Sequence, residues 1–256
     1  MCLICERSRT QTGRTPTFSQ PTGSGLLTRR RLLGAGLFAA ATPALAKKKS
    51  ALETPPNAIS PEEALKRLMD GNARYVAGNP NERDFSAGRA ARVNVQYPIA
   101  GLVSCADARL TPELALDQGI GDLFVTRVAG NFIGAGVLGS LEYGVAVLGM
   151  PLIMVLGHTN CGAIGAALKV IKSGEMLPGH LDELITSVKP AAIQALKKSD
   201  PDDQLNWAIT ANVKRQVATL KNRPSLVQKA WRAKKVDIVG GVYDLATGKI
   251  ELVPAS

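Results

Sequence analysis

The chain has 256 residues, 45% of them hydrophobic and 25 of them glycine, a composition that suits a globular α/β protein and argues against a disordered one. Its formal charge of +10 is uneven: residues 1–46 hold six Arg against one Glu, so half of the excess lies ahead of the body. No Lys/Arg stripe interleaved with aromatics runs through the remainder, so nucleic acid is not expected among the partners.

Residues 1–27 are polar, rich in Ser, Thr, Gly and Arg, and follow neither a helical nor a strand period. Thr28-Arg29-Arg30-Arg31-Leu32-Leu33 then precedes a small-apolar run from Gly34 to Pro43 and an Ala44-Leu45-Ala46 end. A basic start, a short apolar middle and an Ala-x-Ala close describe an export signal, with cleavage expected after Ala46. The apolar run is too short to span a bilayer, so the mature protein is expected to lack an integral membrane segment. The paired arginines resemble the twin-arginine signal, which exports proteins already folded; an ordinary secretory signal is the alternative. Either way the expected location is periplasmic or otherwise extracytoplasmic. Cys2-x-x-Cys5 resembles a redox or metal pair, but it lies in sequence to be discarded and is given no role.

Residues 47–59, with Pro55-Pro56, read as a linker, and residues 60–256 as one catalytic domain. Ser60-Pro61-Glu62-Glu63 is a helix start, with Ser60 as N-cap and Glu63 closing a capping box. Ala64, Leu65, Leu68 and Met69 follow at helical spacing. Residues 78–90 read as loop. Pro98 to Ser104 and Pro151 to Gly157 are continuous apolar runs without alternation, the pattern of parallel strands covered on both faces. Between them lie a short helix opened by Thr111-Pro112-Glu113, a strand from Asp122 to Val128, and a helix over 136–149. A helix over 161–172 starts at Cys161, and the stretch 181–222 is helical with a break at Asp200-Pro201. A helix from Pro224 to about residue 234 and a strand pair over 236–244 and 250–253 close the chain. The fold class is α/β, a single domain with a mainly parallel central sheet flanked by helices.

Two segments carry the chemistry. Cys105-Ala106-Asp107-Ala108-Arg109 follows the first apolar strand, and His158-Thr159-Asn160-Cys161 follows the other. Ligands in open α/β sheets gather beyond the carboxyl ends of the strands, so Cys105, His158 and Cys161 are expected at one rim. Two thiolates and an imidazole suit zinc and leave a fourth position free. Cys161 stands at a helix N-terminus, which favours its thiolate. In an extended segment residues i and i+2 project from one face, so Asp107 and Arg109 address the same cleft as Cys105. A carboxylate there can accept the proton of a metal-bound water or itself ligate the metal, with Arg109 holding it ionised. A Cys105–Cys161 disulfide is the competing reading for an exported protein.

Cys-Ala-Asp-Ala-Arg followed by His-Thr-Asn-Cys-Gly resembles the motifs of the β-class carbonic anhydrases, with Ala108 where the family commonly has Ser. Ala129-Gly130-Asn131, Ser140-Leu141-Glu142-Tyr143 and Gly241-Val242-Tyr243-Asp244 extend the likeness from about Pro61 to the C-terminus. The resemblance implies one Zn²⁺ per subunit on Cys105, His158 and Cys161, with Asp107 as fourth ligand only in a closed state. It implies Asp107 and Arg109 as a catalytic dyad, and Gln96, Phe124, Tyr143 and the Gly162 N–H as substrate-binding groups. Phe124 and Tyr143 match positions that face a neighbouring subunit's zinc, so a homodimer or larger homo-oligomer is expected. The implied reaction is reversible hydration of CO₂ to bicarbonate and a proton, zinc-bound hydroxide being the nucleophile. An allosteric branch of the family binds bicarbonate beside a tryptophan. Leu102 stands at that position here, although Arg127 and Tyr243 remain near other matching positions, so the allosteric site is expected to be missing.

Gly134-Ala135-Gly136-Val137-Leu138-Gly139 fits a nucleotide-binding pattern, but the acidic residue expected about twenty positions on is absent. Glycines that let a helix pack closely are the plainer reading. His180 reads as a surface histidine, and Trp207 and Trp231 as core or interface aromatics. Two other functions fit the same ligands: hydrolysis of CS₂ or COS, and a zinc-holding sensor without turnover.

Overall fold

The computed structural model describes residues 55–198 and 200–254. The segment expected to direct export, its expected cleavage point and Cys2-x-x-Cys5 lie outside the described residues. Five strands form one sheet: β1 (Ala100–Ser104), β2 (Leu123–Arg127), β3 (Leu152–His158), β4 (Asp237–Tyr243) and β5 (Ile250–Val253). Their order is β2-β1-β3-β4-β5, with the first four parallel and β5 antiparallel to β4. Every residue of β1 and β3 is buried, which is why both read as unbroken apolar runs.

Eight α-helices accompany the sheet among the described residues: α1 (Pro61–Val76), α2 (Phe85–Ala91), α3 (Pro112–Ala115), α4 (Ala135–Ala146), α5 (Gly162–Ser173), α6 (Leu181–Lys198), α7 (Gln204–Asn222) and α8 (Leu226–Arg232). Leu102, Leu152, Met154 and Leu156 pack with Ala64 and Leu68 of α1 in one core layer. Val103, Ile153 and Val155 pack with Leu138, Leu141, Val213 and Val227 from α4, α7 and α8 in the other. A third apolar cluster, built from α5, α6 and α7, includes Cys105 and Cys161. The order of the strands reverses between β1 and β3, and the crevice beyond their carboxyl ends is where such sheets bind ligands. Cys105 and His158 sit at that crevice.

Local chemistry explains where elements begin. The Ser60 hydroxyl caps α1 by accepting the Glu63 N–H at 3.1 Å. Glu63 does not close a box; its carboxylate accepts from Arg67 Nε one turn on, at 2.8 Å. Helix α2 occupies the second half of the stretch read as loop and runs one residue past it. Asp84 nucleates it by accepting the Ser86 and Ala87 N–H groups at 2.9 and 3.0 Å, yet none of its residues is buried, so no apolar period announced it. Asn57, in the stretch read as linker, is buried and donates to Leu148 O at 2.7 Å. The glycines of 134–139 do not serve close packing throughout: a Cβ on Gly136 or Gly139 would meet nothing within 4 Å. The close approach lies elsewhere, where Met150 Cε would come within 2.5 Å of a Cβ on Gly144 and 2.6 Å of one on Gly101.

Candidate metal centre and active site

Cys105 follows β1 directly, His158 ends β3, and Cys161 is the N-cap of α5. The sheet and the helix start therefore bring one ligand atom from each to within 4.8 Å of the others. All three residues are buried, and both thiols are free, so no disulfide joins them.

The imidazole is oriented for a cation. His158 Nδ1 lies 2.9 Å from Thr159 O, which fixes the proton on Nδ1 and leaves the Nε2 lone pair toward the sulfurs. Nε2 is fully buried and has no hydrogen-bond partner. Thr159 is itself held, its N–H donating to Tyr243 O at 2.9 Å and its Oγ1 accepting from Leu245 N at 3.0 Å. A buried ring nitrogen that faces two sulfurs and has no hydrogen-bond partner suits a zinc ligand.

The electrostatics agree. Contact with the Cys161 thiol, aided by the His158 ring and the Gly130 N–H, pulls the Cys105 thiol far down, against its burial. The same contact and burial push Cys161 up, although the Ala163 and Ile164 amides at the start of α5 oppose this. Burial lowers His158, but the neighbouring Cys105 thiolate and Asp107 outweigh it and raise the ring above its ordinary value. One thiolate is thus favoured within the buried trio, and a cation among the sulfurs would favour the second. The donor set fits zinc.

Asp107 and Arg109 sit over this centre, but not on one extended face. The Asp107 Oδ1 accepts the Arg109 N–H at 3.0 Å, and the chain turns there. Arg109 folds back onto Asp107, with Nε 2.9 Å from Oδ1 and Nη2 2.7 Å from Oδ2. Its guanidinium holds the Asp107 carboxyl well below the usual carboxylate range, against burial that acts to raise it. Asp107 Oδ2 also lies 3.8 Å from His158 Nε2, so the carboxylate faces the metal position.

The other expected site residues are placed differently. Gly162 is the first residue of α5, beside Cys161. Phe124 of β2 and Tyr143 of α4 face each other with ring centroids 6.3 Å apart, and Tyr143 is exposed. Gln96 is exposed on the segment ahead of β1. Among the described residues no hydrogen bond, ion pair or ring contact joins Gln96, Phe124 or Tyr143 to the three ligands within the chain.

Sequence reasoning missed the scaffold beneath the motif. Arg127, the last residue of β2, donates from Nε to Cys105 O at 3.0 Å and from Nη2 to Asp107 O at 2.7 Å, pinning the ligand loop at two carbonyls. The Gly130 N–H donates to Cys105 Sγ at 3.3 Å. Arg127 is set opposite Ser104 by the parallel register of β1 and β2; the resemblance pointed to this residue, but not to its hold on the ligand loop. Tyr243 is buried with its hydroxyl 3.2 Å from that of Tyr75, and burial and that contact push its phenol up to about 12. His180 is fully exposed, and Trp207 and Trp231 are half-buried.

Comparison with known proteins agrees with this geometry. The family model described as carbonic anhydrase matches residues 100–250. A carbonic anhydrase of Mycolicibacterium smegmatis is 39% identical over 194 residues, covering 75% of this chain and 93% of that protein. The structure of a Coccomyxa β-carbonic anhydrase in complex with acetazolamide superposes with a TM-score of 0.58 at 27% identity, covering 75% of this chain and 84% of that one. One of two tetrameric β-carbonic anhydrases from Sordaria macrospora shares the fold at a TM-score of 0.57 and 24% identity, covering 66% of this chain and 92% of that one. With three quarters of this chain aligned to nearly the whole of the matched relative and the sheet folded as in the β-class enzymes, the chain belongs to the β-carbonic anhydrase family.

Proposed function

We propose that the chain is a zinc-dependent enzyme for reversible CO₂ hydration, with Cys105, His158 and Cys161 holding the ion and the fourth position open. The observation that carries this is the buried, unpartnered Nε2 of His158 beside two free thiols. Zinc bound there would supply a water acidic enough to ionise near neutrality, its pKa lowered to about 7.

The chain's own groups set the rest. Arg109 occupies both oxygens of Asp107, which holds the carboxylate back as a hydrogen-bond acceptor. Oδ2 faces the centre, where it would accept a hydrogen bond from an oxygen held by the ion and so turn that oxygen toward CO₂. Because Arg109 keeps Asp107 ionised, this acceptor is available at neutral pH and well below it. The Gly162 N–H, at the open end of α5, is suited to an oxygen of CO₂ or bicarbonate.

Gln96, Phe124 and Tyr143 complete the pocket across a subunit boundary in this reading. Tyr143 is 48% exposed and Val147, one turn on, 64%, an apolar face suited to a second copy. The Sordaria enzymes described as tetrameric support a homo-oligomer. We also assign residues 1–46 to export, on the Thr28-Arg29-Arg30-Arg31-Leu32-Leu33 run and the Ala-x-Ala end. Among the described residues no helix is long and apolar enough to cross a membrane.

Metal analysis of the purified chain, paired with stopped-flow CO₂ hydration, tests the reading. One zinc per chain and turnover that disappears on chelation are expected. A folded chain that binds no zinc, or a zinc-loaded chain that leaves CO₂ untouched, would contradict it. Fractionation of cells carrying the full chain, against one with Arg29 and Arg30 replaced by Lys, tests the export assignment. Retention of only the Lys-substituted form inside the cell is the expected result.

A further inference from the structure

The loop between β2 and α4 is clamped from behind by two buried amides of α7. Asn212 and Gln216 lie one turn apart and are 1% and 4% exposed. Asn212 Nδ2 donates to Gly130 O at 2.9 Å, and Gln216 Oε1 accepts the Ile133 N–H at 3.0 Å. Gln216 Nε2 donates to Asn212 Oδ1 at 3.1 Å, so the two side chains lock each other. Between the clamped points the chain passes through Gly130 and Asn131, both left-handed with φ of 78° and 42°. A Cβ on Gly130 would also meet Val188 Cγ1 at 3.0 Å, so the turn has little freedom to shift. The outcome of this geometry is the Gly130 N–H aimed at Cys105 Sγ, 3.3 Å away in the interior.

We propose that Asn212, locked by Gln216, is a positioning residue for the metal-binding thiolate. It holds the turn that sets the Gly130 N–H on Cys105 Sγ, and thereby sets how much charge that sulfur gives the ion. This rests on the zinc reading above. A hydrogen bond to a thiolate draws off lone-pair density, so the sulfur donates less and the metal stays a stronger Lewis acid. When the clamp is cut, the sulfur becomes a stronger donor and the ligand loop loses its fixed geometry. A buried amide pair serving stability alone would leave the sulfur's electronic state unchanged.

The test uses the mature chain loaded with cobalt(II), whose sulfur-to-metal charge-transfer band reports on the thiolates, and with zinc, whose affinity is read by chelator competition. Asn212→Ala and Gln216→Ala are expected to move the band to longer wavelength and, because the lost ligand geometry outweighs the sulfur's stronger donation, to weaken zinc binding by about tenfold. Val213→Ala, on the same helix and fully buried, is expected to lower stability but leave band and affinity in place. Folded, metal-loaded Asn212 and Gln216 variants with the parent's band and affinity would overturn the proposal. So would the same band shift in Val213→Ala, or failure of both amide variants to fold while Val213→Ala folds, which assigns the pair to stability alone. A parent chain that binds neither metal would instead sink the zinc reading.

Discussion

Arg109 grips Asp107 by both carboxylate oxygens, at 2.9 and 2.7 Å, while the same guanidinium reaches Asn160 O at 3.3 Å on the other ligand loop. One cation thus ties the Cys105 loop to the His158–Cys161 loop and fixes the carboxylate that faces the centre. Asp107→Asn keeps the size but turns half of the acceptor into a donor. CO₂ hydration should fall on the order of 10²–10⁴-fold, with zinc content unchanged. Arg109→Lys keeps the charge and loses the two-pronged fit, and should cost roughly 10²-fold through misplacement of Asp107. Stopped-flow rates set against metal content separate both effects from loss of the ion.

Much of this was readable in the sequence because burial writes itself into composition. β1 and β3 are covered on both faces, so their apolar runs stood out and placed Cys105 and His158 at strand ends. Ser60 and Pro61 marked the start of α1 by cap chemistry alone. Helix α2 was illegible because nothing in it is buried. The turn at Asp107 was illegible too, since spacing says which side chains share a face only if the chain runs straight. Arg127 reaches back 22 residues to Cys105 O, and Asn212 reaches 82 residues to Gly130 O. Such partners come from strand register and helix packing, which no local pattern encodes.

Arg127 spans two carbonyls of the ligand loop, an arrangement that a planar fork supports and a single ammonium does not. Arg127→Lys and Arg127→Ala should both loosen the segment from Cys105 to Asp107. Each is expected to lower unfolding stability by about 1–3 kcal/mol, the range for leaving buried or charge-assisted bonds unmade. Zinc should also be released faster to a chelator. Denaturant melts and release kinetics together check the expectation, and unchanged zinc release in Arg127→Lys would contradict it.

Asp117 ties α1 to the segment that follows it. Its side chain is 1% exposed and paired with Arg83 and with Arg74, Nε of the latter at 2.6 Å, while Asn81 Nδ2 donates at 2.9 Å. Burial acts to raise this carboxyl, but the guanidiniums and the Asn81 amide overcome it and hold it below its ordinary value. A carboxyl depressed in the fold stabilises it above the unfolded value near 3.9, and that contribution disappears as pH falls through the folded value. Asp117→Asn should therefore cost about 3 kcal/mol at pH 7, at the lower end for breaking a buried pair because both arginines keep some solvent. The gap between parent and variant should narrow as pH falls from about 5 to 3. Urea melts at the two ends of that range measure it, and a gap that widens on acidification would refute the assignment.

Tyr143 and Val147 share one face of α4, and the Tyr143 ring leans on Phe124 at 6.3 Å between centroids. With 48% and 64% of these side chains left to solvent in a single chain, a second copy is the natural cover, and it would bring an apolar wall to the neighbouring metal centre. Val147→Glu places a charge in that contact without touching Cys105, His158 or Cys161. Light scattering should show the assembly dissociating, while zinc stays bound one per chain. CO₂ hydration should fall with it, because the zinc loops remain intact but Gln96, Phe124 and Tyr143 no longer meet a partner's centre. A monomeric Val147→Glu chain with full activity would place the whole substrate pocket within one chain. That would leave the exposed face of α4 with no part in the chemistry.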